Sequence, residues 1–288
     1  MTNPATALTT AIEDSAKVAN TPLFSTVIDK LLGFKISEWG AQGDAIKKQI
    51  LDGYEEAKHR GLGFQYVSAF RSNANLINIG RKATKYIRPN RNRRSNIAMD
   101  NDVFWGFLEH SKEISNEEMQ ELIAKIIAGE YNSPGTYSMF TLQVVKMLGK
   151  NELELFERIC YLLIDNECLP RELFTGRVNV EEFTQDIGID FGSLQTLQSL
   201  GLFLPNDMTR TITITGRKNL VIKYFDKELV FTPTNENFSK IRIPNFYGLS
   251  IVGKQILKHL KLRYVEKYYL WIRQNYKIPN YELKSSNL

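Results

Sequence analysis

Over the first 177 positions apolar residues recur at helical spacing in one segment after another, and turn or capping residues separate the segments. That pattern commits most of the chain to helices joined by turns. Pro22 opens a run to Leu32 that Gly33 ends. The next helix is predicted from Ser37 to Arg60, with Ile46, Ile50, Leu51 and Tyr54 on one side and Lys47, Lys48, Glu55 and Glu56 on the other; Gly61-Leu62-Gly63 breaks it. Phe64 to Arg88 reads as another, stopped by Pro89. Asp100 or Asn101 then starts a helix through Phe104, Trp105, Phe107 and Leu108. Ser115-Asn116-Glu117-Glu118 reads as a capping box for a helix with Met119, Leu122, Ile123, Ile126 and Ile127 on one face, and Gly129 as its stop. Asn132-Ser133-Pro134-Gly135 is a turn signal. Thr136 or Ser138 starts a helix ended at Gly149, and Asn151 caps one carrying Leu155, Ile159, Leu162 and Leu163.

From about residue 178 the texture changes. Two short helices are expected, Val180 to Ile187 and Phe191 to Leu200, and strand signals follow. Thr211 to Thr215 alternates β-branched residues, and Leu220 to Phe225 with Glu228 to Thr232 flanks Asp226-Lys227 as a hairpin. Pro233 and Pro244 bracket a loop, and Tyr247 to Tyr276 reads as helix. The expected class is mainly α with a small β-ribbon: a helical N-terminal region and a winged-helix-like C-terminal domain. The expected divisions are a flexible arm or weak helix at 1–20, a basic helical region at 21–99, a helical core module at 100–177, and the winged-helix-like domain with a terminal helix at 178–288. With 288 residues, 43% of them hydrophobic, the chain can build a full core. Cys160 and Cys168 read as small buried apolar residues in a reducing compartment. No apolar run approaches the roughly 18 residues of a membrane span, so a cytoplasmic location without a membrane partner is expected.

Charge is unevenly placed. The net charge is +5, yet no Asp or Glu lies between Lys58 and Met99, a stretch with ten Lys or Arg. Seven fall between Arg81 and Arg94: Arg81, Lys82, Lys85, Arg88, Arg91, Arg93 and Arg94. Lys82 and Lys85, with Arg81 and Arg88, are expected to share a helix side, with the last three Arg on an Asn-rich loop. Such a run repels itself, and a polyanion relieves the repulsion. DNA or RNA is the partner expected first. Two alternatives stay open: an intramolecular or oligomer contact with an acidic face such as Glu109 to Glu130, and anionic lipid.

The segment Glu113-Ile-Ser-Asn-Glu-Glu-Met-Gln-Glu-Leu-Ile-Ala-Lys-Ile-Ile-Ala-Gly-Glu130, followed by Asn132-Ser-Pro-Gly135 and Thr141-Leu142, resembles the bacterial family called domain of unknown function 2806. Related helical segments occur in abortive-infection-alpha-like proteins. The family typically has Trp where this chain has Ile123, and Ser-Phe-Ser where it has Thr136-Tyr137-Ser138. Its C-terminal part is similar to Phe191 to Leu260, and the whole resemblance covers about residues 100–275. It implies a fold and an antiviral-defence or phage-associated setting. It carries no catalytic residues.

The C-terminal order of helices, Gly201-Leu202, strands and Leu249-Ser250-x-x-Gly253 suggests a winged helix-turn-helix variant, with Phe191 to Leu200 entering a groove. That helix offers Ser193, Gln195, Thr196, Gln198 and Ser199 but no Arg or Lys, so phosphate attracts it weakly. Used for protein packing instead, the same fold needs no charge there. The wing carries Arg210, Arg217, Lys218 and Lys223. The terminal region adds Lys254, Lys258, Lys261, Arg263 and Lys267, interleaved with Tyr264, Tyr268, Tyr269 and Trp271. Cations with aromatics suit stacking on single strands; the alternative is a packing helix with a solvated Lys face. Arg217, Lys218, Lys258 and Lys261 are the secondary contacts expected here.

No complete catalytic constellation appears. Gly248-Leu-Ser-Ile-Val-Gly253-Lys254-Gln255 approaches a phosphate-binding loop but has Gln where Ser or Thr holds magnesium. His59, His110 and His259 have no His or Cys at metal spacing. Glu117, Glu118, Glu121 and Glu130 read as capping and solvated residues. The expectation is a binding protein without cofactor or metal. The alternative is an adaptor that self-associates or binds a protein through its helical region, with Phe104, Trp105 and Phe107 exposed.

Overall fold

The computed structural model describes residues 4–16, 39–88, 101–175, 180–213, 218–234 and 240–284. They form two compact units, Met1–Lys150 and Asn151–Leu288.

The first unit is helical: α1 Pro4–Ala16, α2 Trp39–His59, α3 Gly63–Thr84, α4 Asn101–Ser111, α5 Glu117–Asn132 and α6 Met139–Met147. Residues 4–16 are not an arm. Ala5, Leu8, Ala11 and Ile12 are buried, and the two alanines let α1 lie close on α3. The helix expected from Pro22 to Leu32 lies outside the described residues. α3 ends at Thr84, before Arg88, because Asn132 takes over the following backbone: its amide donates to Tyr86 O at 2.9 Å and accepts from Arg88 N at 3.0 Å. Asn116, not Ser115, caps α5, accepting from Glu118 N and Met119 N, each at 3.0 Å. Ser115 Oγ instead accepts from Arg71 Nε at 3.0 Å. Gly129 does not stop α5 but lies inside it, where an added Cβ would stand 2.7 Å from Tyr137 Cε2. Phe107, expected at the surface, is fully buried; the side chains of Phe104 and Trp105 lie outside the description.

The second unit is mixed. α7 Lys150–Cys160 begins at its edge and is followed by β1 Cys168–Pro170, a 3-10 turn at Arg171–Phe174, α8 Glu181–Ile187, α9 Phe191–Ser199 and β2 Phe203–Thr213. Then come β3 Leu220–Tyr224, β4 Lys227–Pro233, β5 Lys240–Leu249, α10 Ile251–Leu257, α11 Glu266–Asn275 and β6 Tyr281–Leu283. Residues 151–175, which the sequence groups with the preceding helices, pack into this unit. The rings of Phe156 and Phe203 stand 5.9 Å apart, and Tyr268 OH donates to Leu162 O at 2.7 Å. The strands make two antiparallel three-stranded sheets, ordered β1-β5-β2 and β3-β4-β6.

Pro244 lies within β5 rather than closing a loop. Between the pairs Met208↔Phe246 and Arg210↔Ile243, β5 contributes one more residue than β2. At such a bulge a residue without an N–H breaks no ladder bond. Tyr247 pairs with Leu169 and Asp207. Strand, α10, a break and α11 therefore replace the single helix expected from Tyr247 to Tyr276, because β5 satisfies its backbone on both sides. Ser250 caps α10 through Gly253 N at 3.0 Å. An added Cβ on Gly253 would stand 2.1 Å from Leu202 O, so close packing accounts for the Gly in this Gly248-to-Lys254 run. Cys160 and Cys168 are free and buried. Among the described residues no helix is long and apolar enough to cross a membrane.

Candidate polyanion-binding surfaces

Within the acid-free stretch, α3 meets α5 through a buried polar ladder. Asn75, Lys82 and Gln120 are 6%, 4% and 2% exposed. Lys82 Nζ donates to the Glu117 carboxylate, to Glu117 O at 3.2 Å and to Gln120 Oε1 at 3.1 Å. Gln120 Nε2 donates to Ile114 O at 2.9 Å and Asn75 Oδ1 at 3.3 Å, and Asn75 Nδ2 to Lys112 O at 2.9 Å. A buried ammonium is tolerated only with such partners. Lys82 therefore takes the intramolecular course left open above, against an acidic face of α5, and is withdrawn from the surface. Arg81 is half-buried, and its Nε finds no hydrogen-bond partner among the described residues. Lys85 and Arg88 are exposed. Because α3 stops at Thr84, Lys85 is its cap and Arg88 lies beyond it; no single helical side carries all four cations. Between them, Tyr86 OH donates to Glu121, whose carboxylate raises the phenol's pKa, and Lys125 Nζ stands 5.8 Å from the ring centroid. Arg91, Arg93 and Arg94 lie outside the described residues.

Glu130 is neither a cap nor solvated. It is 4% exposed, and its carboxylate accepts from Gly135 N at 2.6 Å and Tyr137 N at 2.8 Å. Gly135 has φ +87°, a left-handed conformation that glycine adopts without strain. The segment from Gly129 to Ser138 is thus a stapled corner between α5 and α6: Tyr137 lies on Gly129, Glu130 holds the turn, and Ser138 caps α6 through Thr141 N at 3.2 Å.

In the second unit Lys218, Lys258 and Lys261 are exposed, and Arg217 lies outside the described residues. Lys258 borders a small cleft of about 370 Å³ with Asp165 and Glu167, where Lys254 already pairs with Glu167 at 2.7 Å. Tyr268 and Trp271, 0% and 5% exposed, are core residues. Their rings lie 5.9 Å apart and nearly parallel, with Phe183 against both. The interleaved aromatics that suggest base stacking are therefore used largely in packing. α9 also spends its polar side chains internally. Gln198 Nε2 donates to Leu204 O at 2.8 Å, Thr196 to Gly192 O at 2.9 Å and Ser199 to Thr196 O at 2.7 Å. Ser193 bonds the capping carboxylate of Asp190, holding its pKa below the usual range. Gln195 is exposed.

The structure also gathers cations that the sequence scatters. Arg171, Arg242 and Lys277 line one cleft of about 810 Å³ in the second unit. No local signal marks them, since they come from three segments far apart in the chain. Among the described residues no group of three or more His, Cys, Asp or Glu could hold a metal ion.

Residues 64–273, from the first turn of α3 to the last turn of α11, match the model of a family described as Protein of unknown function (DUF2806). No curated protein and no solved structure matches the chain.

Proposed function

The chain belongs to the DUF2806 family, and we propose that it is a nucleic-acid-binding protein whose main contact begins at the end of α3. The observation that carries this reading is the division of the cations there. Lys82 is consumed by the fold, while Lys85 and Arg88 face solvent, with the 86–88 backbone tied to Asn132. Arg91, Arg93 and Arg94 follow in sequence without an intervening acid. Lys85 and Arg88 would give such a run a fixed first contact with phosphates.

Reading the second unit as a winged-helix variant belongs to the same proposal. The order α7, β1, α8, α9, β2, β5 with sheet order β1-β5-β2 is compatible with that fold, in which α9 would be the groove-entering helix. Because α9 has no cation and bonds its own polar groups, affinity comes from the end of α3, with Lys218, Lys258, Lys261 and Arg217 as secondary contacts. The antiviral-defence or phage-associated setting rests on the family resemblance. The test is binding of the full chain to single- and double-stranded DNA and RNA across salt concentrations. A log affinity that falls linearly with log salt is expected. No affinity for any of the four, or an affinity insensitive to salt, overturns the reading.

One observation favours an adaptor role through the helical region instead. Phe140 and Met147, seven positions apart on α6, are 57% and 59% exposed. Light scattering that shows concentration-dependent assembly, lost on Phe140→Ser, together with no nucleic-acid affinity, favours it.

A further inference from the structure

The cleft in the second unit has the makings of a small-molecule site. Arg171 comes from the 3-10 turn after β1, Arg242 from β5, and Lys277 from the segment after α11. Arg171 is held in place: its Nη1 lies 3.2 Å from Asp207 Oδ2, which accepts from Asn245 Nδ2 at 2.7 Å, and Asn245 Oδ1 accepts from Thr209 Oγ1 at 2.8 Å. An arginine oriented by a hydrogen-bonded carboxylate keeps other guanidinium donors for a second oxyanion. Arg242 and Lys277 are exposed and make no ion pair among the described residues. Glu172 lines the same cleft, and its Oε2 is buried with no hydrogen-bond partner among the described residues. Its charge helps raise the pKa of the Tyr268 and Tyr276 phenols, after burial itself. A buried carboxylate oxygen without a donor is a costly exception that calls for an explanation.

We propose that this cleft binds a nucleotide: Arg242 and Lys277, with Arg171, take the phosphate, and Glu172 accepts from a hydroxyl or amino group of the nucleoside. The volume falls in the range of about 300–1,000 Å³ usual for small-ligand sites. Cations for the phosphate and a carboxylate lacking a donor are complementary to the two ends of one such molecule. The inference goes beyond the proposed nucleic-acid contact, since it concerns a different unit and different residues, and either can fail alone.

The test uses the full chain in titration calorimetry with the four nucleoside 5′-monophosphates, adenosine and inorganic phosphate. At least one nucleotide is expected to bind with one-to-one stoichiometry and more tightly than phosphate or adenosine. Arg242→Ala and Lys277→Ala, at exposed positions, are each expected to weaken it about tenfold with the circular dichroism unchanged. Glu172→Gln is expected to weaken nucleotide while leaving phosphate binding as it was. Failure of all four nucleotides to bind at millimolar concentration overturns the proposal. So does binding unaffected in the Arg242→Ala/Lys277→Ala double variant. Oligonucleotide binding that needs Arg242 and Lys277 while mononucleotides fail replaces it with a polymer site.

Discussion

Lys82 and Lys85 lie three residues apart in the same basic run, yet the structure gives them opposite tasks, and replacing each by Met separates stability from binding. In Lys82→Met the unbranched stem keeps its packing while the ammonium and its donors go. Glu117, with a side chain 80% exposed, returns to water at little cost. Gln120, 2% exposed, keeps the bonds of its Nε2 but loses the donor to Oε1. An unsatisfied buried acceptor costs about 1–3 kcal/mol. The lost charge-assisted bonds to Glu117 add to that, and relief from holding an ammonium away from water offsets part of it. The net expectation is destabilisation of about 2 kcal/mol, or roughly 4–8 °C in Tm for a unit of this size. Lys85 is exposed, and Lys85→Met should change stability by less than about 0.5 kcal/mol. Binding should show the reverse. Removing one phosphate contact at Lys85 lowers the magnitude of the log–log salt slope by about 0.9, and Lys82→Met leaves the slope unchanged. Urea unfolding followed by circular dichroism gives the first quantity, and fluorescence anisotropy with labelled oligonucleotides, well below the melting temperature, gives the second. If Lys82→Met flattens the salt slope at unchanged stability, the buried assignment of Lys82 is wrong.

The stapled corner gives a second prediction. Glu130→Ala removes the acceptor of two backbone N–H groups and should cost about 3 kcal/mol, with faster hydrogen exchange at Gly135 and Tyr137. Unchanged exchange at both amides would refute the staple. A third concerns high pH. Burial lifts the Cys168 thiol from 9.0 to about 12 and the Tyr224 phenol from 10.0 to about 12. The folded chain holds these protons more tightly than the unfolded chain, so their contribution is whole below the unfolded values and is lost as pH rises through about 12. The urea midpoint of the second unit should therefore fall above pH 9, and fall less in Cys168→Ala; equal decline in both proteins counts against it.

The helices were legible where their signals are local. Ser37 to Arg60 and Phe191 to Leu200 became α2 and α9 nearly as read, because periodicity and flanking Gly or capping residues act within a few positions. Misreadings arose where a distant partner decided the outcome. Gly129 looks like a stop because α5 contacts Tyr137 only through the turn that follows, and Pro244 looks like a loop because its bulge exists only opposite β2. Ser115 lost its capping role to Asn116 because Arg71, far back on α3, bonds its hydroxyl. The cleft lined by Arg171, Arg242 and Lys277 was invisible for the same reason.

What the sequence determined by itself is a mainly helical chain, the antiparallel pairing of the two strands about Asp226 (with the turn one residue earlier, at Phe225-Asp226), membership in its family, and a concentration of positive charge from Arg81 to Arg94. These depend on composition and on spacing along the backbone. Which of those charges meets water and which meets a carboxylate was decided only in the fold. Burial is set by the neighbour across an interface, and Gln120 and Glu117, which enclose Lys82, belong to a helix more than thirty residues away.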